Sequence, residues 1–226
     1  MTSTDESGVS RRMRVTMRRA MAALALTFAF AFCASGTALA QAPDKLVRTV
    51  ADEVLNALAQ DQELRAGNQA KFAELLEQKV APHFDFERMT RLAVGRGWRQ
   101  AKPEQQKTLV DLFHRLLIRT YSAAYSAYAN ITIDVKPVRM QPADDDVQVR
   151  TEIKVPNGGP PLTVDYSMYK ASAAWKIYDV TVEGVSLLTT YRSTFAEEIR
   201  QGGIDGLIKS LQDKVSAPAA GTKKQQ

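Results

Sequence analysis

The stretch WKIYDVTVEGVSLLTTYRSTF, residues 175–195, changes its apolar spacing in the middle. Up to Val182 the residues alternate, and both alternating sets are apolar, so they predict a β-strand with two apolar faces. One set is Tyr178, Val180 and Val182, and the other is Trp175, Ile177 and Thr181. Glu183-Gly184 then breaks the strand, Ser186 is suited to cap a helix, and helical spacing follows to near Arg200. The apolar residues at that spacing are Leu187, Leu188, Tyr191 and Phe195. The segment has more apolar surface than one buried face needs, and no recognisable catalytic group.

The residues before this stretch also alternate with a period of two. DVQVRTEIKV, residues 146–155, places valine and isoleucine on one side and charged or amide side chains on the other, which predicts a strand with one wet face. ITIDV, residues 131–135, and LTVDYSMY, residues 162–169, alternate similarly. The connecting segments QPADDD and PNGGP are rich in turn-forming residues, so the strands should form an antiparallel meander.

The first half of the chain has helical spacing instead. Amphipathic helices are predicted within residues 43–58 and 69–84, the second ended by Pro82, and a short helix capped by Asp85 follows. Pro103 starts a long fourth helix. The predicted fold class is α+β, with a twisted antiparallel sheet of about four strands packed against several helices. Such a fold can leave an apolar hollow between its layers.

The fourth helix carries two apolar stripes side by side. The first contains Leu109, Phe113, Leu116 and Thr120, and the second contains Val110, Leu117, Tyr121, Tyr125 and Tyr128. With Leu112 the apolar arc covers roughly 220°, against roughly 100° for a surface helix. Either the helix is buried on two sides by its own protein, or the tyrosine-rich stripe lines a cavity.

The N-terminus has the pattern of a secretory signal peptide. Arginines precede a short apolar run, and the stretch ending in Ala38-Leu39-Ala40 predicts cleavage after Ala40. The single cysteine, Cys33, lies in this leader, so the mature chain has no disulfide, cysteine nucleophile or cysteine metal site. Removing the leader's five arginines and two acids leaves 25 basic and 23 acidic residues, a balance that predicts no nucleic-acid footprint. We expect one domain over residues 41–215 and a disordered tail over residues 216–226.

Two further stretches belong with the opening WKIYDVTVEGVSLLTTYRSTF, namely FDFERMTRLAVGRGWRQA and FHRLLIRTYSAAY. Together the three stretches resemble the MlaC family of periplasmic phospholipid-binding proteins. The strand with Asp179, the Gly184-Val185-Ser186 break and the Tyr191-Arg192-Ser193 helix occur in the family's order, and GIDGLIKSL matches its last helix. The resemblance covers about residues 46 to 214, with a departure at Gly97, where the family more often has a bulkier residue.

The resemblance implies a soluble carrier in the periplasm that is not an enzyme and needs no cofactor or metal. It implies a diacyl glycerophospholipid as cargo, and as partners an inner-membrane ABC transporter with MCE-domain subunits and an outer-membrane lipoprotein/porin complex. A monomer suits such a shuttle. The predicted tail contacts are Leu117, Tyr121, Tyr125, Val164, Tyr166, Met168, Val180, Val182, Leu188 and Tyr191. Arg192 is the candidate headgroup contact, although no arginine cluster at motif spacing predicts a dedicated phosphate clamp.

Two other function classes fit the same residues. A small enzyme with an apolar substrate could use Asp179 as a carboxylate base, although a structural hydrogen-bonding role for this residue is the simpler interpretation. A periplasmic factor that binds only proteins could use the extra apolar surface for docking. No G-x-S-x-G elbow, metal-ligand pair or phosphate-binding glycine loop is present, and His83 and His114 fit packing or surface roles.

Overall fold

A computed structural model describes residues 41–125, 131–141, 143–154, 159–172 and 174–217. The predicted signal peptide, Tyr128, most of the PNGGP turn and residues 218–226 of the predicted tail lie outside the described residues, as does the side chain of Tyr125. Within these ranges, no helix has both the length and the apolar character needed to cross a membrane.

Six α-helices and five strands form the described structure. The helices are α1 (Pro43–Gln60), α2 (Gln62–Arg65), α3 (Gln69–Leu75), α4 (Phe86–Val94), α5 (Pro103–Tyr125) and α6 (Leu187–Ser216). A π-helical turn (Leu76–Val80) and a 3-10 turn (Ala81–His83) continue α3, and a second 3-10 turn (Gly95–Arg99) follows α4. The strands are β1 (Thr132–Val135), β2 (Asp146–Lys154), β3 (Leu162–Lys170), β4 (Trp175–Val182) and β5 (Val185–Ser186). They form one antiparallel sheet in chain order, so the predicted α+β meander is confirmed, with a two-residue fifth strand added.

The predicted helix starts agree with the observed caps. The carboxylate of Asp85 accepts a hydrogen bond from the backbone N–H of Arg88 at 2.8 Å and so caps α4. The Ser186 hydroxyl accepts one from the N–H of Thr189 at 3.1 Å and caps α6. The predicted end of the helical stripe near Arg200 is confirmed as a break within α6, because Gly203 (φ 66°, ψ −167°) is non-helical and a second helical segment then continues to Ser216. Glycine adopts that positive φ without a side-chain clash.

A β-bulge changes which residues of β4 share a face. Ser167 of β3 pairs with Asp179, but the next residue, Met168, pairs with Ile177, so Tyr178 is the extra residue of β4. The prediction that Tyr178 shares a face with Val180 is therefore wrong. Ile177 takes its place, and the Tyr178 hydroxyl instead donates to Asp146 at 2.9 Å.

The two faces of the sheet differ sharply in polarity. One face carries the apolar residues of all four long strands and packs against the helices, as in the buried cluster of Val135, Val149, Met168, Trp175 and Ile177 with Val47 of α1. The other face carries ion pairs such as Arg150 with Asp165, at 3.0 Å, and Lys136 with Glu152, at 2.9 Å. The apolar face of the sheet therefore fixes the side on which the helices lie.

A second core lies between α4, α5 and α6. The first stripe of α5 enters it, with Phe113 fully buried and its ring centroid 5.3 Å from that of Phe195 in an edge-to-face contact. Helix α5 thus has one side in this helical core and the other side towards the sheet.

The carboxylate of Asp179 joins β4 to the start of α6. It accepts hydrogen bonds from the Ser186 hydroxyl at 2.6 Å and from the backbone N–H groups of Val180 and Leu188 at 2.8 and 3.2 Å. Because it accepts from three donors, this carboxylate holds the end of β4 to the first turn of α6.

We expect Asp179→Ala to lower the free energy of unfolding by about 1–3 kcal/mol, because three donors lose a charged acceptor. Urea unfolding measures this change. The matched control is Asp52→Ala, which removes an exposed carboxylate from α1. Equal midpoints for Asp179→Ala and Asp52→Ala would contradict the structural role of Asp179.

Candidate functional site

An apolar cavity lies between the apolar face of the sheet and the helices α1, α4 and α5. Its volume is about 270 Å³, near the lower end of ordinary ligand pockets. The lining residues are Leu46, Val47, Val50, Ala51, Val54, Leu76, Val80, Ala81, His83, Phe84, Phe86, Met89, Leu117, Ile118, Tyr121, Ile133, Tyr166, Ile177, Val180, Val182 and Leu187. All except one histidine and two tyrosines have hydrocarbon or thioether side chains.

The wall on the α1 side comes from a helical stripe. Leu46, Val50 and Val54 follow one another at intervals of four residues, so their side chains lie on the same face of α1. Ala51 lies beside this stripe, and its small side chain leaves space in the cavity.

The π-helical turn continues this wall. Leu76 and Val80, the first and last residues of the turn, both line the cavity. Between them Glu77 lies 3.0 Å from His114 of α5, and the His114 ring stacks on Phe86 with centroids 4.0 Å apart. His114 therefore supports the wall from behind, which agrees with its predicted packing role. Single π-turns within helices are frequent at functional sites.

The sheet wall depends on the β-bulge. Val180 and Val182 of β4 line the cavity with Tyr166 of β3, and the register shift brings Ile177 to the same face. Ile133 extends the wall to the edge strand β1. Without the extra residue in β4, the polar Tyr178 would take the position of Ile177.

The polar groups of the lining are held neutral. Burial, together with the nearby ammonium of Lys176, lowers the pKa of His83 against the opposing effect of Glu53. Burial raises the pKa of Tyr166, partly offset by the Thr151 hydroxyl. Burial and the neighbouring Tyr191 raise the pKa of Tyr121 to about 12. No carboxylate, ammonium or guanidinium is among the described residues that line the cavity.

Tyr121 indicates where the cavity opens. Its side chain is 36% exposed, whereas the other lining residues are half-buried or buried. Val185 of β5, which pairs with the lining residue Val182 of β4, is 60% exposed. The opening therefore lies beside the end of α5 and has an apolar border.

The structure brings together five of the ten predicted tail contacts. Leu117, Tyr121, Tyr166, Val180 and Val182 all line the cavity. Both interpretations of α5 thus describe part of the helix, because its first stripe is core and its second stripe reaches the cavity at Leu117 and Tyr121. Their contact with lipid remains a prediction.

The other predicted contacts lie elsewhere. Val164 and Met168 share the sheet face with Tyr166 but are 6% and 0% exposed and do not line the cavity. Leu188 and Tyr191 pack into the core of α4, α5 and α6, where the Tyr191 ring meets Phe113 at 4.9 Å. The reason is helical rotation, since successive residues differ by 100° and only Leu187 of this turn faces the cavity.

The candidate headgroup contact, Arg192, is also away from the cavity lining. Its Nε donates to the carbonyl of Leu92 at 2.9 Å, and its side chain lines a separate groove beside α4. The cavity's geometry therefore gives no support to a headgroup role for Arg192.

Most of the lining from the first half of the chain was missed by sequence reasoning. Leu46, Val50 and Val54 lie within the amphipathic helix predicted over residues 43–58, but a stripe that packs on a core and one that lines a cavity have the same spacing. The sequence does contain one signal of a cavity, since its predicted helices carry more apolar faces than one face of the sheet can cover. Nothing in the sequence distinguishes Phe84 and Ile118 as cavity residues.

Among the described lining residues, the titratable side chains are His83, Tyr121 and Tyr166, and no carboxylate lies with them. Asp179 is outside the lining and its two oxygens are engaged with Ser186 and backbone N–H groups. The part of the chain that the structure describes contains no group of three or more His, Cys, Asp and Glu residues that could hold a metal ion.

Known proteins resemble this chain over most of its length. A family model described as MlaC protein matches residues 48–213. The chain is 28% identical over 171 residues to the toluene tolerance protein ttg2D of Pseudomonas putida, covering 75% of this chain and 78% of that protein. It is 24% identical over 197 residues to the intermembrane phospholipid transport system binding protein MlaC of Haemophilus influenzae, covering 85% of this chain and 92% of that protein.

A solved structure is similar in both fold and sequence. It is the phospholipid-binding protein from Ralstonia solanacearum in complex with a phospholipid, with a TM-score of 0.70 and 40% identity, covering 76% of this chain and 96% of that chain. Because the family model matches well over half of the sequence, the chain belongs to the MlaC family.

Proposed function

We propose that the mature chain, from residue 41, is a periplasmic carrier that holds a diacyl glycerophospholipid by its acyl tails. The observation that carries this proposal is the cavity between sheet and helices, whose described lining is apolar apart from one neutral histidine and two tyrosines. The 40% identity to a protein solved with a phospholipid supports the class of ligand.

The physical need for such a carrier follows from the cost of moving tails through water. Each methylene contributes about 0.8 kcal/mol, so two tails oppose free diffusion by on the order of 20 kcal/mol. A cavity that covers the tails removes most of this barrier. The headgroup would remain in solvent at the opening beside Tyr121, where the described lining offers no charged partner.

The proposal includes a shuttle between two membranes. An outer-membrane lipoprotein/porin complex and an inner-membrane ABC transporter with MCE-domain subunits are the proposed partners, and the carrier is proposed to act as a monomer. Support comes from the family and from the name of the Haemophilus influenzae relative, which describes a binding protein of an intermembrane phospholipid transport system.

The enzyme and the protein-only alternatives are less well supported. An enzyme would need its base in the cavity, but Asp179 lies outside the lining and caps the β4–α6 connection. A factor that only docks proteins would not need an open apolar space inside its fold, since such a space costs packing energy when it is empty.

Filling the cavity from α1 tests this function. We expect Ala51→Phe to lower the amount of phospholipid that co-purifies by about tenfold, because the ring occupies space that the tails need. Organic extraction and phosphorus analysis measure the lipid per protein. Ala59→Phe, at an exposed position of the same helix, is the matched control and should retain lipid. Full lipid content in Ala51→Phe would contradict tail binding in this cavity.

Bound lipid should also stabilise the fold. Lipid at about 100 times its dissociation constant adds about 2.7 kcal/mol, so delipidation is expected to lower the melting temperature by about 5–10 °C. Differential scanning calorimetry before and after extraction measures the change, and added phospholipid should restore it. An unchanged melting temperature after complete delipidation would argue against a lipid that fills the cavity.

A further inference from the structure

A second groove lies on the other side of α4 from the cavity. It has a volume of about 750 Å³ and is formed by α4, the 3-10 turn Gly95–Arg99 and α6. The lining residues are Arg91, Val94, Gly95, Arg96, Gly97, Trp98, Arg99, Gln100, Arg192, Ala196 and Ile199. Four of these are arginines and none is acidic, whereas the mature chain as a whole is close to neutral.

The four arginines come from three elements that meet at the groove. Arg91 belongs to α4, Arg96 and Arg99 to the 3-10 turn, and Arg192 to α6, and all four are exposed. Within the described ranges, none of them has a carboxylate within 4.0 Å, although other exposed arginines such as Arg200 are paired. Like charges that are gathered without counter-charges repel one another, so this arrangement favours an anionic partner.

One of the arginines is oriented for binding. The Nε of Arg192 donates to the carbonyl of Leu92 at 2.9 Å, which fixes the guanidinium and leaves its terminal amino groups available. A planar guanidinium forms two parallel hydrogen bonds with a carboxylate. Fixing it in advance reduces the entropy lost on binding.

The base of the groove is apolar and shaped by a glycine. Val94, Trp98 and Ile199 contribute its apolar surface. Gly97 lets the turn approach α6 closely, because a Cβ atom there would lie 2.8 Å from Cδ1 of Ile199. The departure from the family pattern at Gly97 therefore lies within this groove.

We propose that this groove docks an acidic, extended segment of a partner protein. The arginines on its sides match carboxylates, and the apolar base accepts a side chain between them. A peptide can enter a concave groove, whereas the flat surface of a bilayer contacts only its edges.

The groove and the cavity are independent sites on the same helix. Phe86 and Met89 of α4 line the cavity, while Arg91 and Val94 line the groove from roughly the opposite side of the helix. A segment in the groove therefore leaves the cavity and its opening free. The inference does not depend on which lipid the carrier holds.

Fluorescence anisotropy with the lipid-loaded mature protein tests the proposal. The probe is a fluorescein-labelled peptide of glutamate and leucine, and the comparison peptide has glutamine in place of glutamate. We expect binding of the glutamate peptide only, and we expect the double variant Arg96→Glu/Arg99→Glu to weaken it by about tenfold or more. The phospholipid content of this variant should equal that of the wild type.

The matched control is Arg65→Glu/Arg139→Glu, which makes the same charge change at exposed arginines outside the groove. It should weaken binding by less than about twofold. Equal weakening by both double variants would overturn the proposal, because it would indicate general attraction to a basic protein. Absence of binding at low salt would also overturn it. Phosphatidylglycerol vesicles that bind through Arg96 and Arg99 and displace the peptide would also overturn the proposal, because the groove would then face a membrane.

Discussion

The hydrogen bonds of Asp179 fix the place where the chain leaves the sheet and enters α6. Its carboxylate joins Val180 of β4 to Ser186 and Leu188 at the start of the helix. This connection sets the rotation of α6, which turns Leu187 towards the cavity and Leu188 into the helical core. Helices α4, α5 and α6 can then pack against one another, while the sheet residues that line the cavity remain uncovered by them.

Helix α5 separates the two apolar regions that result. Phe113 and its neighbours bury one side of this helix among α4 and α6. Leu117 and Tyr121 present the other side to the cavity. Under the proposed function, a packed core beside an apolar hollow would let a carrier load and release tails without losing its fold, and the neutral His83 and tyrosines would keep ionised groups out of the proposed tail region.

The general architecture could be predicted from spacing alone, but the details of the site could not. Alternation in β2 and β3, the proline at Pro103 and the caps at Asp85 and Ser186 are local signals, and the structure confirms them. The bulge at Tyr178 depends on pairing between two strands, and the π-turn after α3 depends on packing, so neither has a local signal. Leu188 and Tyr191 are predicted tail contacts that do not line the cavity, because an apolar stripe does not reveal which neighbour it faces.

The central claim is that acyl tails occupy the space between the sheet and α1, α4 and α5. The most direct measurement is methyl NMR of the protein loaded with a phospholipid that carries a nitroxide on its tail, compared with the reduced, diamagnetic lipid. The account predicts that relaxation enhancement is strongest at Ile118, Val180 and Val182, which line the cavity, and weaker at Leu207 and Leu211 of the helical core. Bound lipid with enhancement strongest in the helical core, or only at surface methyls, would contradict it.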